Sequence, residues 1–149
     1  MREALTRQMR LALENAQSIA RRLNQDFVGT EHLLLGVLDC EAGEAVWTLR
    51  ASEVSVAEVR RRLLHGLPMG KEPPVVTGNL PLSPRAGRIV NAAQVLAQRL
   101  HEPKVSTRMA MLAFLEENDS GIRQALLDSG ADLDELVRML AEKPCEAEE

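Results

Sequence analysis

Apolar residues at Leu5, Met9, Ala12, Ala16, Ile19, Ala20 and Leu23 recur at helical spacing, while Arg10, Glu14, Arg21 and Arg22 fall outside that stripe. The pattern predicts an amphipathic first helix. Asn24-Gln25-Asp26 interrupts it, and Phe27 and Val28 are expected to pack as the chain turns. The next stretch, Gly29-Thr30-Glu31-His32-Leu33-Leu34-Leu35-Gly36-Val37-Leu38, is apolar on nearly every side, so it reads as a helix enclosed by others. Gly29 permits a sharp entry, the Thr30 hydroxyl is expected to cap a free N–H, and Glu31 sits where the helix dipole favours negative charge. A short third helix is expected over Glu44 to Ala51, with Val46, Trp47 and Leu49 as packing residues. Ser55 and Glu58 have capping-box spacing before a fourth helix whose apolar face carries Val56, Val59 and Leu63.

Glycines and prolines crowd residues 65–81, which excludes regular helix and marks a linker. Beyond it the pattern starts again. Ser83-Pro84 supplies an N-cap with proline in the first turn, and Ile89, Ala93, Leu96, Ala97 and Leu100 rebuild the first stripe. Ser106-Thr107-Arg108-Met109-Ala110-Met111-Leu112 answers the leucine run, Gly130 is placed for a helix C-cap, and Asp132 with Glu135 forms a second capping box. Leu5 and Leu82 lie 77 positions apart, and that offset runs without a gap to Leu63 and Leu140. Identical pairs in this register include Ala16/Ala93, Ala20/Ala97, Val28/Val105, Thr30/Thr107, Leu35/Leu112, Leu49/Leu126 and Glu58/Glu135. A tandem duplication explains them. The predicted fold class is all-α: two four-helix units, about eight helices, related by a pseudo-twofold axis. The organisation is 1–64 as first repeat, 65–81 as linker, 82–143 as second repeat and 144–149 as polar tail. Each repeat is too small for a comfortable core, so both should pack as one domain.

Composition narrows the functional classes. The chain of 149 residues is 45% hydrophobic but only 2% aromatic, with no Tyr and the single Trp47, which disfavours a stacking platform for single-stranded nucleic acid. A net charge of −4 offers no field for polyanions, and Arg60-Arg61-Arg62 reads as a solvated helix face, so no nucleic-acid partner is expected. No apolar run approaches the ~18 residues of a membrane span, and no membrane partner is expected. Cys40 and Cys145 are far apart in sequence, consistent with a reducing, cytoplasmic location rather than a disulfide framework.

Catalytic chemistry is not evident. Gly66-Leu67-Pro68-Met69-Gly70-Lys71 is one residue short of a P-loop and is followed by Glu72, so it reads as linker. His32, His65 and His101 lie in different segments, away from zinc-ligand spacing. No metal site, cofactor or catalytic residue is expected; an enzyme reading would rest on Glu31 and His32 meeting other groups across the bundle.

The Gly29 to Gly36 motif, the preceding Ala-Arg-Arg-Leu at 20–23, the Leu82-Ser83-Pro84-Arg85-Ala86 opening and the duplication together resemble the Clp N-terminal repeat domain, especially that of ClpC-type AAA+ unfoldases. The likeness spans about Leu5 to Lys143. It implies a non-catalytic docking module that receives protein substrates or adaptors of a Clp ATPase or protease. The family's ATPase modules are not present in this sequence; Met1 and the polar run from Lys143 to Glu149 favour a freestanding N-domain protein. The resemblance further implies a phosphoarginine-type site in each repeat, built from Thr6 with Glu31 and from Ser83 with Arg108. A helix N-terminus attracts phosphate and a carboxylate takes a guanidinium as a fork, whereas Arg108 reverses the second sign. The alternative class is a helical structural or regulatory protein that uses a Clp-like scaffold to self-associate or to bind an unrelated partner.

Overall fold

The structure is a computed structural model that describes residues 4–144 and 147–149; Cys145 lies outside them. Among the described residues the helices are α1 (Arg7–Arg22), α2 (Thr30–Leu38), α3 (Glu44–Ala51), α4 (Val56–Gly66), α5 (Pro84–Arg99), α6 (Thr107–Glu116), α7 (Ser120–Asp128) and α8 (Leu133–Leu140). Helices α1 to α4 reappear as α5 to α8 in the 77-residue register.

Local chemistry sets most of the boundaries. Thr6 Oγ1 accepts from Met9 N at 3.0 Å at the start of α1, and its repeat mate Ser83 accepts from Ala86 N at 3.1 Å at the start of α5. Ser55 and Asp132 cap α4 and α8 by accepting from Glu58 N and Glu135 N, both at 3.2 Å. The return halves of these capping boxes are absent, because Glu58 and Glu135 turn instead to Arg61 and Arg138 one turn on. Thr30 also departs from expectation. The N-cap of α2 is Gly29, and the Thr30 hydroxyl donates to Glu31 Oε1 at 2.5 Å rather than capping an N–H. His32 supplies the cap, its Nδ1 accepting from Gly29 N at 2.8 Å. In the second repeat Met109 Sδ takes the equivalent place, 3.3 Å from Ser106 N.

Helices α2 and α6 form the centre. Every residue of α2 except Glu31 is buried, as is every residue of α6 from Thr107 to Leu115. Each of these two helices meets elements of both repeats, and they contact each other. Helix α3 packs against α8, and α4 against α7, as a pseudo-twofold relation requires. Two isolated parallel bridges cross between repeats: Leu5 with Val105, and Val28 with Leu82. They are equivalent under the 77-residue offset, and each ties the entry of an amphipathic helix to the entry of the other repeat's apolar helix.

Gly36 marks a difference between the halves. A Cβ there would lie 2.3 Å from Ala12 O and 2.9 Å from Ala16 N, so only glycine lets α2 approach α1 so closely. Its repeat mate is Ala113, and α5 meets α6 over less of its length. The stretch between the repeats is held at several points: Gly70 N donates to Leu23 O at 2.8 Å, and Gln17 exchanges two hydrogen bonds with the Leu80 backbone. Val28 is buried as expected, but Phe27 is 44% exposed, lying edge-on to His32, and Trp47 is 40% exposed. Glu44, at the start of α3, is buried beside Ala45, Val46 and Leu49.

Leu35 and Leu112 occupy equivalent buried positions on the two central helices. Truncation of either to alanine loses transfer free energy and leaves a cavity, so each variant should lose ~2–5 kcal/mol in a denaturant melt. A loss below about 1 kcal/mol for both would show that α2 and α6 are not the enclosed core.

Candidate functional site

The crossed bridges decide which residues meet. Thr6 N donates to Val105 O at 3.0 Å, and Ser83 N donates to Val28 O at 2.8 Å. The N-terminus of α1 therefore faces the start of α6, and that of α5 faces the start of α2. Thr6 lines a cleft with Arg108, and Ser83 lines one with Glu31. The pairing within repeats, Thr6 with Glu31 and Ser83 with Arg108, is corrected: each cleft takes its hydroxyl from one repeat and its α2- or α6-type residue from the other.

The Glu31–Ser83 cleft encloses about 480 Å³ and is also lined by Phe27, Thr30, His32, Arg85 and Arg88. Glu31 is partly exposed at its rim. Arg85 pairs with Asp119 at 3.0 Å and Arg88 with Glu117 at 3.3 Å, both arginines largely solvent-facing, so they can turn toward an anion at little cost. His32 is 3% exposed, and because Nδ1 accepts from Gly29 N, the neutral ring carries its proton on Nε2. That Nε2 is buried without a hydrogen-bond partner among the described residues. Acid, cations and a capped helix N-terminus thus share one opening.

The Thr6–Arg108 cleft, of about 340 Å³, is built differently. Arg108 is 2% exposed, and its guanidinium is already engaged: Nε with Glu44 at 3.2 Å, Nη2 with Glu102 at 3.4 Å, and Nη1 with Leu140 O at 2.8 Å. It serves the interior and is not free to hold a phosphate. Glu44 and Glu102 were not among the expected site residues, yet a signal for them exists. In the 77-residue register Arg108 replaces Glu31, Glu44 replaces Gly121 and Glu102 replaces Gln25. These three charge differences between the repeats assemble in one cluster. A further surprise is Glu148 of the polar tail, whose carboxylate accepts from Thr6 Oγ1, from Glu44 N at 2.7 Å, and from Thr107 N and Oγ1 at 3.0 and 2.5 Å.

No cluster of metal-ligating side chains occurs among the described residues, and no described helix is long and apolar enough to cross a membrane. Cys40 is buried, donating to Gln8 O at 3.3 Å; burial pushes its thiol up to about 12, with the Glu148 and Asp39 carboxylates adding to the effect.

Taken together, a duplicated all-α bundle with crossed inter-repeat entries and clefts at its helix N-termini defines a Clp-type N-domain. The sequence profile described as the Clp repeat (R) N-terminal domain matches residues 4–138, and the chain belongs to that family. A ClpC ATP-binding subunit from Staphylococcus saprophyticus is 33% identical over 119 residues, covering 77% of this chain and 14% of that protein. The chain spans about 14% of the length of the curated relatives it matches. Among solved structures, the N-terminal domain of the chaperone ClpD from Arabidopsis thaliana superposes with a TM-score of 0.73 at 19% identity, covering 93% of this chain and 92% of that one. A ClpV N-domain in complex with a VipB peptide does so at 0.72 and 22%, covering 97% and 91%.

Burial lowers the His32 pKa from 6.5, against a smaller opposing pull from Glu31. The unfolded chain therefore binds a proton that the folded ring resists, so this contribution to stability is complete above pH 6.5 and is lost as pH falls below it. An NMR titration should find His32 deprotonating below the ordinary histidine value of 6.5. Replacing Arg108 with alanine leaves the buried Glu44 carboxylate without its countercharge and should cost about 3–5 kcal/mol in thermal or denaturant melts.

Proposed function

We propose that this chain is a non-catalytic protein-binding module that receives substrates or adaptors for a cytoplasmic Clp chaperone-protease system, with the Glu31–Ser83 cleft as its docking site. The observation that carries this reading is the convergence at that cleft of the partly exposed Glu31, the capped N-terminus of α5, Arg85 and Arg88. Family membership supports it, and so does the ClpV N-domain that was solved with a bound peptide.

The arrangement suits a ligand that carries both charges close together. An arginine phosphorylated on its guanidinium would set the phosphate against the α5 N-terminus and the two arginines, and the guanidinium against Glu31. Arg108 sits buried in the other cleft among Glu44 and Glu102, so that cleft lacks a free acid for the same ligand.

Calorimetric titration with free phosphoarginine should give one site per chain. Glu31→Ala should abolish binding, and Ser83→Ala should weaken it, whereas Thr6→Ala should leave it unchanged because Thr6 belongs to the other cleft. Absence of heat, together with no chemical-shift change at Glu31, His32 or Ser83, would exclude this ligand. Failure to retain any Clp ATPase, protease or adaptor from native lysate at gentle salt would count against the docking role itself.

A further inference from the structure

The cleft between Thr6 and Arg108 already holds a peptide, and that peptide belongs to the chain itself. The Glu148 carboxylate lies where three helices begin. It accepts from the first backbone N–H of α3 and from the first of α6, and it takes hydroxyl donors from Thr6, the α1 N-cap, and from Thr107. The first N–H of α1, on Arg7, donates to the neighbouring Glu149 carbonyl at 2.7 Å. The partial positive ends of three helices thus converge on residues 148–149, an arrangement that favours an anion over a neutral group. A plain anion would still be a poor fit, because Glu44 stands beside the site. Its Oε2 accepts the Glu148 backbone N–H at 3.0 Å, so the cleft reads a carboxylate and a peptide N–H from the same residue.

Two observations show that the site is larger than the segment within it. About 340 Å³ remains alongside Glu148 and Glu149, which line it together with Ser106, Lys104 and Lys143. The Ser106 hydroxyl, on a residue only 3% exposed, has no hydrogen-bond partner among the described residues. The corresponding cleft at Ser83 and Glu31 lacks this arrangement. There Gly121 stands in place of Glu44, and α7 does not approach α2 as α3 approaches α6. That approach needs Gly43, where a Cβ would lie 2.8 Å from Thr107 Oγ1.

We propose that this cleft is a binding site for an extended acidic peptide presenting a glutamate, and that residues 147–149 are its internal occupant, which must leave before a partner's acidic segment enters. The site is separate from the Glu31–Ser83 cleft and does not depend on that cleft's ligand. Because the occupant is tethered, its effective concentration is high, and it masks the intrinsic affinity of the cleft for a competitor in solution.

The test uses the full chain with Glu148→Ala, checked by circular dichroism for retained fold, and acetyl-Ala-Glu-Glu-amide as probe in an amide NMR titration. The variant should bind the probe about tenfold more tightly than the unaltered chain or better, with the largest shifts at the Glu44, Thr107 and Arg7 amides. Acetyl-Ala-Gln-Gln-amide and inorganic phosphate should not bind there. Should Glu148→Ala not fold, Glu148→Gln keeps the shape while removing the charge, and the same comparison applies. Equal probe affinity in variant and unaltered chain, equal binding of the glutamine peptide, or binding of phosphate alone would overturn the proposal. A concentration-dependent dimer abolished by Glu148→Ala would also overturn it, by showing that the occupant comes from a second copy. Phosphoarginine titrations at the Glu31–Ser83 cleft should be unaffected throughout, which separates failure here from failure of the docking reading above.

Discussion

Two helices that are buried around nearly their whole circumference cannot be satisfied by one partner each, and the rest of the structure follows from that constraint. An amphipathic helix needs a single neighbour, whereas α2 and α6 each need a complete sheath. Four short helices per repeat cannot provide it, so each central helix takes neighbours from both repeats. The entries of the long helices are consequently exchanged, with Leu5 bridged to Val105 and Leu82 to Val28. Clefts form at the exchanged entries because that is where capped helix N-termini meet across the repeat boundary.

Duplication makes the two halves alike, and two departures from likeness change their packing and their clefts. Gly36 against Ala113 changes how closely an amphipathic helix approaches its apolar partner. Glu31 against Arg108 changes more. A carboxylate at the start of α2 stays partly in water, while the arginine at the start of α6 is drawn fully inside by two acids and a helix-end carbonyl. One cleft keeps a free acid at its mouth. The other has its charges turned inward.

Much of this architecture was legible in the residues because it rests on local chemistry. The 77-residue register, the caps at Ser55, Ser83 and Asp132, and the span of α3 are set by spacing and by side chains a few positions from the backbone groups they serve. What escaped was mostly non-local, with the start of α2 as the exception. Thr30 precedes an apolar run in the manner of a cap, but Gly29 already occupies that place and His32 reaches back to it. Trp47 carries the apolarity of a core residue, yet α3 buries Ala45, Val46, Thr48 and Leu49 instead, together with Glu44, which pairs with Arg108. The pairing of Thr6 with Glu31 failed for the same reason. Repeat periodicity relates equivalent positions but is silent about whether the repeats exchange partners.

A reversal of charge inside a packed bundle does not stay at one position. Arg108 in the interior demands counterions, which Glu44 and Glu102 supply. Glu44, committed to Arg108 through Oε1, has Oε2 left to satisfy, and the Glu148 N–H satisfies it. The Glu148 side chain then closes the loop by taking N–H and hydroxyl donors from α3, α6 and Thr6. A continuous hydrogen-bonded path therefore runs from a single substitution between repeats, through a buried ion cluster, to the acidic residues at 148–149. At the other cleft Glu31 stays partly in water and Gly121 stands where Glu44 would be, so no such path begins among the described residues. The asymmetry of the two clefts is on this account one linked change rather than several independent ones, which explains why the Arg108, Glu44 and Glu102 differences occur together in space.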